Sequence, residues 1–139
     1  MGGYFDVYGN TIISTSNQGI GISGGHNHKV YNNRIVSSGL LPDGRKIASQ
    51  NVGIYVWDMY GSKAGGNWHN NTVFDNKIAW LKYRSNGSTF LNNTWFADCS
   101  STCYNNTTLT RAVTPATEAA EYASWVSRAR AEGQKIGVN

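Results

Sequence analysis

A chain of 139 residues with 14% charged residues, 12% aromatics and 16 glycines supports one folded, turn-rich β domain and excludes a disordered one. The net charge of +4 comes from 12 basic and 8 acidic residues scattered along the chain, without the Lys/Arg run that builds a nucleic-acid stripe. No apolar run is long enough to insert in a membrane, and Met1-Gly2-Gly3 enters the first strand without the basic-then-apolar start of a signal peptide.

Taken in order, Tyr4 to Ile13 holds a frame that recurs. Val7 is followed three residues later by Asn10 and five later by Ile12. The same frame fits Val30, Asn33 and Ile35, then Val73, Asn76 and Ile78, then Phe90, Asn93 and Trp95. The slot after the first is bulky each time: Tyr8, Tyr31, Phe74, Leu91. The Asn residues are 23, 43 and 17 positions apart. Internal repeats of this length point to a solenoid or another array. The residues are β-formers alternating with period two, so each copy reads as strand, tight corner, strand. Asn at every corner suggests a ladder of stacked side chains, at a position that tolerates left-handed backbone.

This pattern resembles the right-handed parallel β-helix proteins of the pectate-lyase-like superfamily, across roughly Tyr4 to Phe96. The resemblance implies an all-β parallel β-helix of a few coils, with Asn10, Asn33, Asn76 and Asn93 at equivalent corners. It says little about chemistry, because the scaffold hosts many functions. If the protein is an enzyme, the resemblance implies a polysaccharide lyase or a glycoside hydrolase. It is compatible with calcium, which no motif here supports, and no other cofactor is expected.

Between the copies lie strands of a second kind, Gly19-Ile20-Gly21-Ile22 and Val52-Gly53-Ile54-Tyr55-Val56. Two excursions interrupt the coils. Residues 37–51 carry Pro42-Asp43-Gly44, a turn in which Pro presets φ and Gly accepts a positive one. Residues 58–67 carry Tyr60, Gly61 and Gly65-Gly66. In solenoids such insertions collect on one face, often the binding face. Asn86-Gly87 marks a further turn. The 17-residue step to Asn93 lacks room for a full coil, so the solenoid is expected to taper there, with 98–113 irregular.

The coils therefore occupy 1–113, and residues 114–139 form a helix and tail. Thr114 suits the N-cap, Pro115 the first helical position and Glu118 the first turn. Ala119, Tyr122, Val126 and Ala129, with Trp125 beside them, recur at helical spacing, and Gly133 can stop the helix. The helix is expected to pack on the end of the solenoid as a cap, through that apolar face. At the other end nothing caps the first coil. Missing N-terminal coils of a longer exported protein, or a second copy, would cover it.

Cys99 and Cys103 are four apart, a spacing open to a local disulfide, free thiols or half a metal site. No His/Cys partner follows at ligand spacing, which favours a disulfide in an extracellular or periplasmic protein. Five glycosylation sequons, at Asn70, Asn86, Asn92, Asn105 and Asn106, arise readily in so Asn-rich a chain.

Chemistry is best sought at Tyr55, Trp57, Asp58, Tyr60 and Trp68. Alternation points Tyr55 and Trp57 outward if Ile54 and Val56 point in. Exposed rings beside a carboxylate suit a polysaccharide, whose C–H faces stack on aromatics. The alternative is that these rings pack beneath the excursions, as large aromatics usually do. No pair of carboxylates stands out for glycosidase work, and no catalytic residue can be named. His26 and His28 alternate on one strand and either hold a metal with a third ligand or form a polar corner. Two functions remain in view: a β-helix that binds or processes a polysaccharide, and a structural or adhesive β-helix of a cell surface or phage fibre.

Overall fold

The computed structural model describes residues 4–15, 18–46, 52–80, 84–85, 88–89, 94–95, 103–108 and 113–134. Each repeat frame folds as two short strands about a corner: β1 (Asp6–Tyr8) and β2 (Thr11–Ile13), β4 (Lys29–Tyr31) and β5 (Arg34–Ser37), β7 (Thr72–Phe74) and β8 (Lys77–Trp80). The Gly/Ile segments form β3 (Gln18–Ile22) and β6 (Val52–Val56). Further along come β9 (Arg84–Ser85), β10 (Ser88–Thr89), β11 (Thr94–Trp95), β12 (Cys103–Tyr104), β13 (Thr107–Thr108) and, the one helix among the described residues, α1 (Pro115–Ala131).

The strands assemble into three parallel sheets. Sheet 1 runs β1-β4-β7-β12, sheet 2 runs β2-β5-β8-β13, and sheet 3 runs β3-β6-β11. Register follows the repeat frame: Val7 pairs with Val30 and Val30 with Val73, while Ile12 pairs with Ile35 and Ile35 with Ile78. In sheet 3, Ile20 pairs with Ile54 and Ile22 with Val56. These side chains meet in one core of Ile20, Ile22, Val30, Ile35, Ile54, Val56, Val73 and Ile78. Period-two alternation thus delivers one apolar residue in two to a shared interior. Among the described residues the one antiparallel strand pair is β9–β10, which flanks the expected Asn86-Gly87 turn. That turn itself lies outside the described residues.

The corners explain the frame. The residue between the bulky slot and the Asn has positive φ in each of four rungs: Gly9 (67°), Asn32 (53°), Asp75 (55°) and Asn105 (54°). These residue types tolerate the left-handed region. The chain turns there, and the following Asn is carried to the same place in every rung. Asn10, Asn33 and Asn76 form the first three rungs, joined by side-chain hydrogen bonds of 3.0 Å each.

Two expectations need correction. The fourth rung is Asn106, which accepts from Asn76 Nδ2 at 2.8 Å. Asn93 lies outside the described residues, and the strand after it, β11, pairs with β6 in sheet 3: Trp95 lies opposite Tyr55. The true fourth copy is Cys103, Tyr104, Asn106 and Thr108, so the segment expected to be irregular holds β12 and β13, and sheets 1 and 2 extend rather than taper.

The helix is capped as expected. Thr114 Oγ1 accepts from Thr117 N, the Thr117 side chain accepts from Thr114 N, and Gly133 adopts φ 76° beyond the last turn. Its docking is not as expected. It lies along sheet 2, against β2 and β5, rather than on the end of the stack. Its buried residues are Glu118, Glu121 and Ala129, while Tyr122 of the apolar face is exposed. Glu121 forms a two-pronged pair with Arg34, and Glu118 accepts from the Ser38 N–H. Val113 closes the contact against Val36. The helix is held by charge-assisted bonds to the outer face of the sheet, a partner invisible to apolar periodicity.

Candidate functional site

The aromatic segment leaves the end of β6 and runs back over the preceding rung. Trp57 N donates to Ile22 O at 3.0 Å, and Met59 N to Ser23 O at 3.0 Å. Asn27 N donates to His69 O at 2.9 Å. The excursion is thereby sewn to the turn at residues 23–27. Gly24 lies against it: a Cβ there would make an ordinary contact, 3.4 Å from Tyr60 Cδ2.

The five candidate residues separate. Tyr55 faces outward by alternation, yet it is only 2% exposed, so it is no part of a solvent-facing platform. Its ring meets Trp57 edge-on at 5.8 Å. Trp68 packs partly buried against the core, with Lys63 Nζ 6.0 Å from its ring. Trp57 and Tyr60 remain on the surface, 37% and 81% exposed, with Met59 between them also exposed. Large exposed apolar side chains grouped on a polar loop mark a contact surface more often than a packing defect.

Asp58 has a different part from the one expected. Its carboxylate accepts from Ser62 N at 2.9 Å, Ser62 Oγ at 2.5 Å and Lys63 N at 2.7 Å. Partial desolvation raises its pKa, but the bonds from Ser62 and Lys63, with the Lys63 charge, outweigh that and hold it below the ordinary carboxylate value. Asp58 therefore organises the loop that carries Trp57 and Tyr60. The residues four and five positions on, which supply the donors, were the sequence signal for this turn.

The histidines take separate places. His26 stacks on His69 at 4.6 Å and lies 2.8 Å from Asn27 Nδ2. His28 is buried against Phe5, with centroids 3.9 Å apart, and its Nε2 lies 3.0 Å from Gly24 O. Among the described residues no three of His, Cys, Asp and Glu gather as metal ligands. Cys103 sits in β12 against the core. Cys99 lies outside the described residues.

Two features escaped the sequence reading. The bulky slots form a stack on the outer face of sheet 1, Tyr8–Tyr31–Phe74–Tyr104, with centroids 5.0, 5.0 and 5.1 Å apart and rings within 10° of parallel. Their faces are turned to one another, so between the two ends of the stack a sugar ring could meet only edges. The second is an open groove of 690 Å³ between α1 and the Asn corners, with Lys77, Arg128, Asp75 and the Arg34–Glu121 pair on its walls.

The fold defines an all-β chain of short, mostly parallel strands with one C-terminal helix. No protein-family model, no curated protein and no solved structure matches the chain.

Proposed function

We propose that the three sheets are walls of a right-handed parallel β-helix of the pectate-lyase-like kind, belonging to an exported protein that binds a polysaccharide. Three sheets built in the same rung order around one core, with an Asn corner in each rung, support the architectural part. The functional part rests on one observation: Trp57 and Tyr60 stand exposed on a loop that Asp58 fixes from within. Rings held in place before the ligand arrives lose little freedom on stacking, which favours affinity. Hydroxyl partners would come from the loop backbone and neighbouring polar side chains rather than from Asp58. The reading assigns binding and names no catalytic group, metal or cofactor.

A glycan-array screen followed by calorimetry tests it. Trp57→Ala should weaken the best glycan at least tenfold, about 1.4 kcal/mol, with circular dichroism unchanged. Binding that survives both Trp57→Ala and Tyr60→Ala would overturn it. The alternative is a structural or adhesive β-helix, favoured by Met59, an unusual exposed neighbour for a sugar platform but a common one at protein contacts. In that case no glycan binds. Export carries the Cys99–Cys103 disulfide with it: neither thiol should take an alkylating reagent until a reductant is added.

A further inference from the structure

We propose that the chain assembles head to tail with further copies of itself, the β12–β13 end of one molecule docking on the β1–β2 end of the next. The ladder has a direction. Asn10 N and Nδ2 donate to Asn33 Oδ1 at 3.1 and 3.0 Å. Asn33 N and Nδ2 donate to Asn76 Oδ1 at 3.0 Å each. Asn76 N and Nδ2 donate to Asn106 Oδ1 at 3.2 and 2.8 Å. Every rung donates towards β13 and accepts from the β2 side.

The ends are therefore complementary. At the head, no described residue donates to Asn10 Oδ1. At the tail, no described residue accepts from the Asn106 N–H. The backbone bonds beside it run the opposite way, from the later rung to the earlier: Arg34 N to Asn10 O, Lys77 N to Asn33 O and Thr107 N to Asn76 O are each 2.8 Å. The next member of that series would be Thr11 N of an incoming molecule to Asn106 O. The ring stack ends in the same way, with Tyr8 59% and Tyr104 47% exposed, while Tyr31 and Phe74 between them are half-buried.

Adding a molecule thus repeats the internal step: the same Asn bonds, the same parallel pairing at roughly 4.8 Å between strands, and Tyr104 stacked on Tyr8. In the Asn ladder, head against head would set one Asn10 Oδ1 against another, and tail against tail one Asn106 N–H against another. The contact is heterologous, and such contacts build rings or filaments. Among the described residues sheet 3 ends one rung earlier, at β11, so the junction is carried by sheets 1 and 2. The helix lies along sheet 2 against β2 and β5, on the head side of the junction.

Sedimentation velocity on the full chain tests this without any glycan, so its failure and that of the binding proposal are separable. Wild type should form species heavier than the 15.2 kDa chain, growing with concentration. Tyr8→Lys and Tyr104→Glu should each weaken association at least tenfold. Mixing the two should restore association, because the mixture recreates the Tyr8–Tyr104 junction and sets the two introduced charges, of opposite sign, against each other at the other junction. A wild type that stays monomeric at every concentration overturns the proposal, and it does so even if a variant fails to fold. A Tyr104→Glu variant that assembles like wild type, or a mixture that fails to pair, overturns the head-to-tail geometry.

Discussion

Asn76→Ala should be among the most damaging single changes in the chain, and its cost can be worked from the ladder. Asn76 is fully buried. Its Oδ1 accepts from Asn33 N and Asn33 Nδ2, and its Nδ2 reaches Val30 O, Phe74 O and Asn106 Oδ1. Alanine leaves the buried Asn33 N–H without an acceptor and deprives one Nδ2 hydrogen, although Asn33 Nδ2 keeps Val7 O at 2.9 Å. An orphaned buried donor costs about 1–3 kcal/mol, so one full and one partial loss give about 2–4 kcal/mol. Asn10 is the control. It is exposed, and in Asn10→Ala the Asn33 Oδ1 still receives the residue 10 N–H, so the expected cost is about 0.5–1 kcal/mol. Asn76→Asp should be at least as severe as Asn76→Ala, because it sets a second oxygen against three acceptors. Urea unfolding followed by circular dichroism measures all three, with the Asn76→Ala midpoint lower by about 1–4 M for an m-value of about 1–3 kcal/mol per M. Equal costs at positions 10 and 76, within about 0.5 kcal/mol, would show that the ladder does not carry the stability assigned to it.

Asp75 holds a left-handed corner at φ 55°, so Asp75→Val should destabilise by about 1–2 kcal/mol while Asp75→Gly is neutral or better, read from the same unfolding curves. Glu121→Ala strands the half-buried Arg34 and loosens the helix; a loss of about 2 kcal/mol, partly recovered by Arg34→Leu in the same chain, is expected from a double-mutant cycle. Burial lowers the His28 pKa from its ordinary 6.5, against the opposing bond to Gly24 O and with a small addition from His26. The unfolded chain therefore binds the proton first: stability is full above pH 6.5, falls as pH drops from there through the lowered folded value, and then levels. His28→Gln should flatten that window in urea titrations across it.

The frame itself was legible because its constraint is local. A corner needs a left-handed residue followed by Asn, and the core needs one apolar residue in two, and both conditions fit within six positions. Hydrophobicity alone points to the wrong fourth rung, and the ring stack points to the right one. Phe90 and Trp95 fill apolar slots better than Cys103 and Thr108, but Leu91 cannot continue a column of Tyr8, Tyr31 and Phe74, whereas Tyr104 can. Loop length agreed with the stack: 17 residues cannot carry a chain through three sheets, and the 30 from Asn76 to Asn106 can.

The candidate site shows where pattern reading stops. Alternation correctly put Tyr55 on the outer face of sheet 3, since Ile54 and Val56 point in, but an outer face is wet only if nothing lies over it, and Tyr55 is buried there. Asp58 beside three rings looked like a ligand group because carboxylates near aromatics often are. Its neighbours Ser62 and Lys63 had first claim, since a donor four or five residues away is already at high effective concentration when the turn forms. The helix makes the same point from the other side. Its caps were readable from Thr114, Pro115 and Gly133, because capping is local chemistry. Its docking face was not, because Glu118 and Glu121 are apolar to no scale and become interior residues only once Arg34 and the Ser38 N–H have been brought opposite them by the sheet. Polar burial of this kind is specified by pairs distant in sequence, so it enters the fold only after the repeat that brings them together.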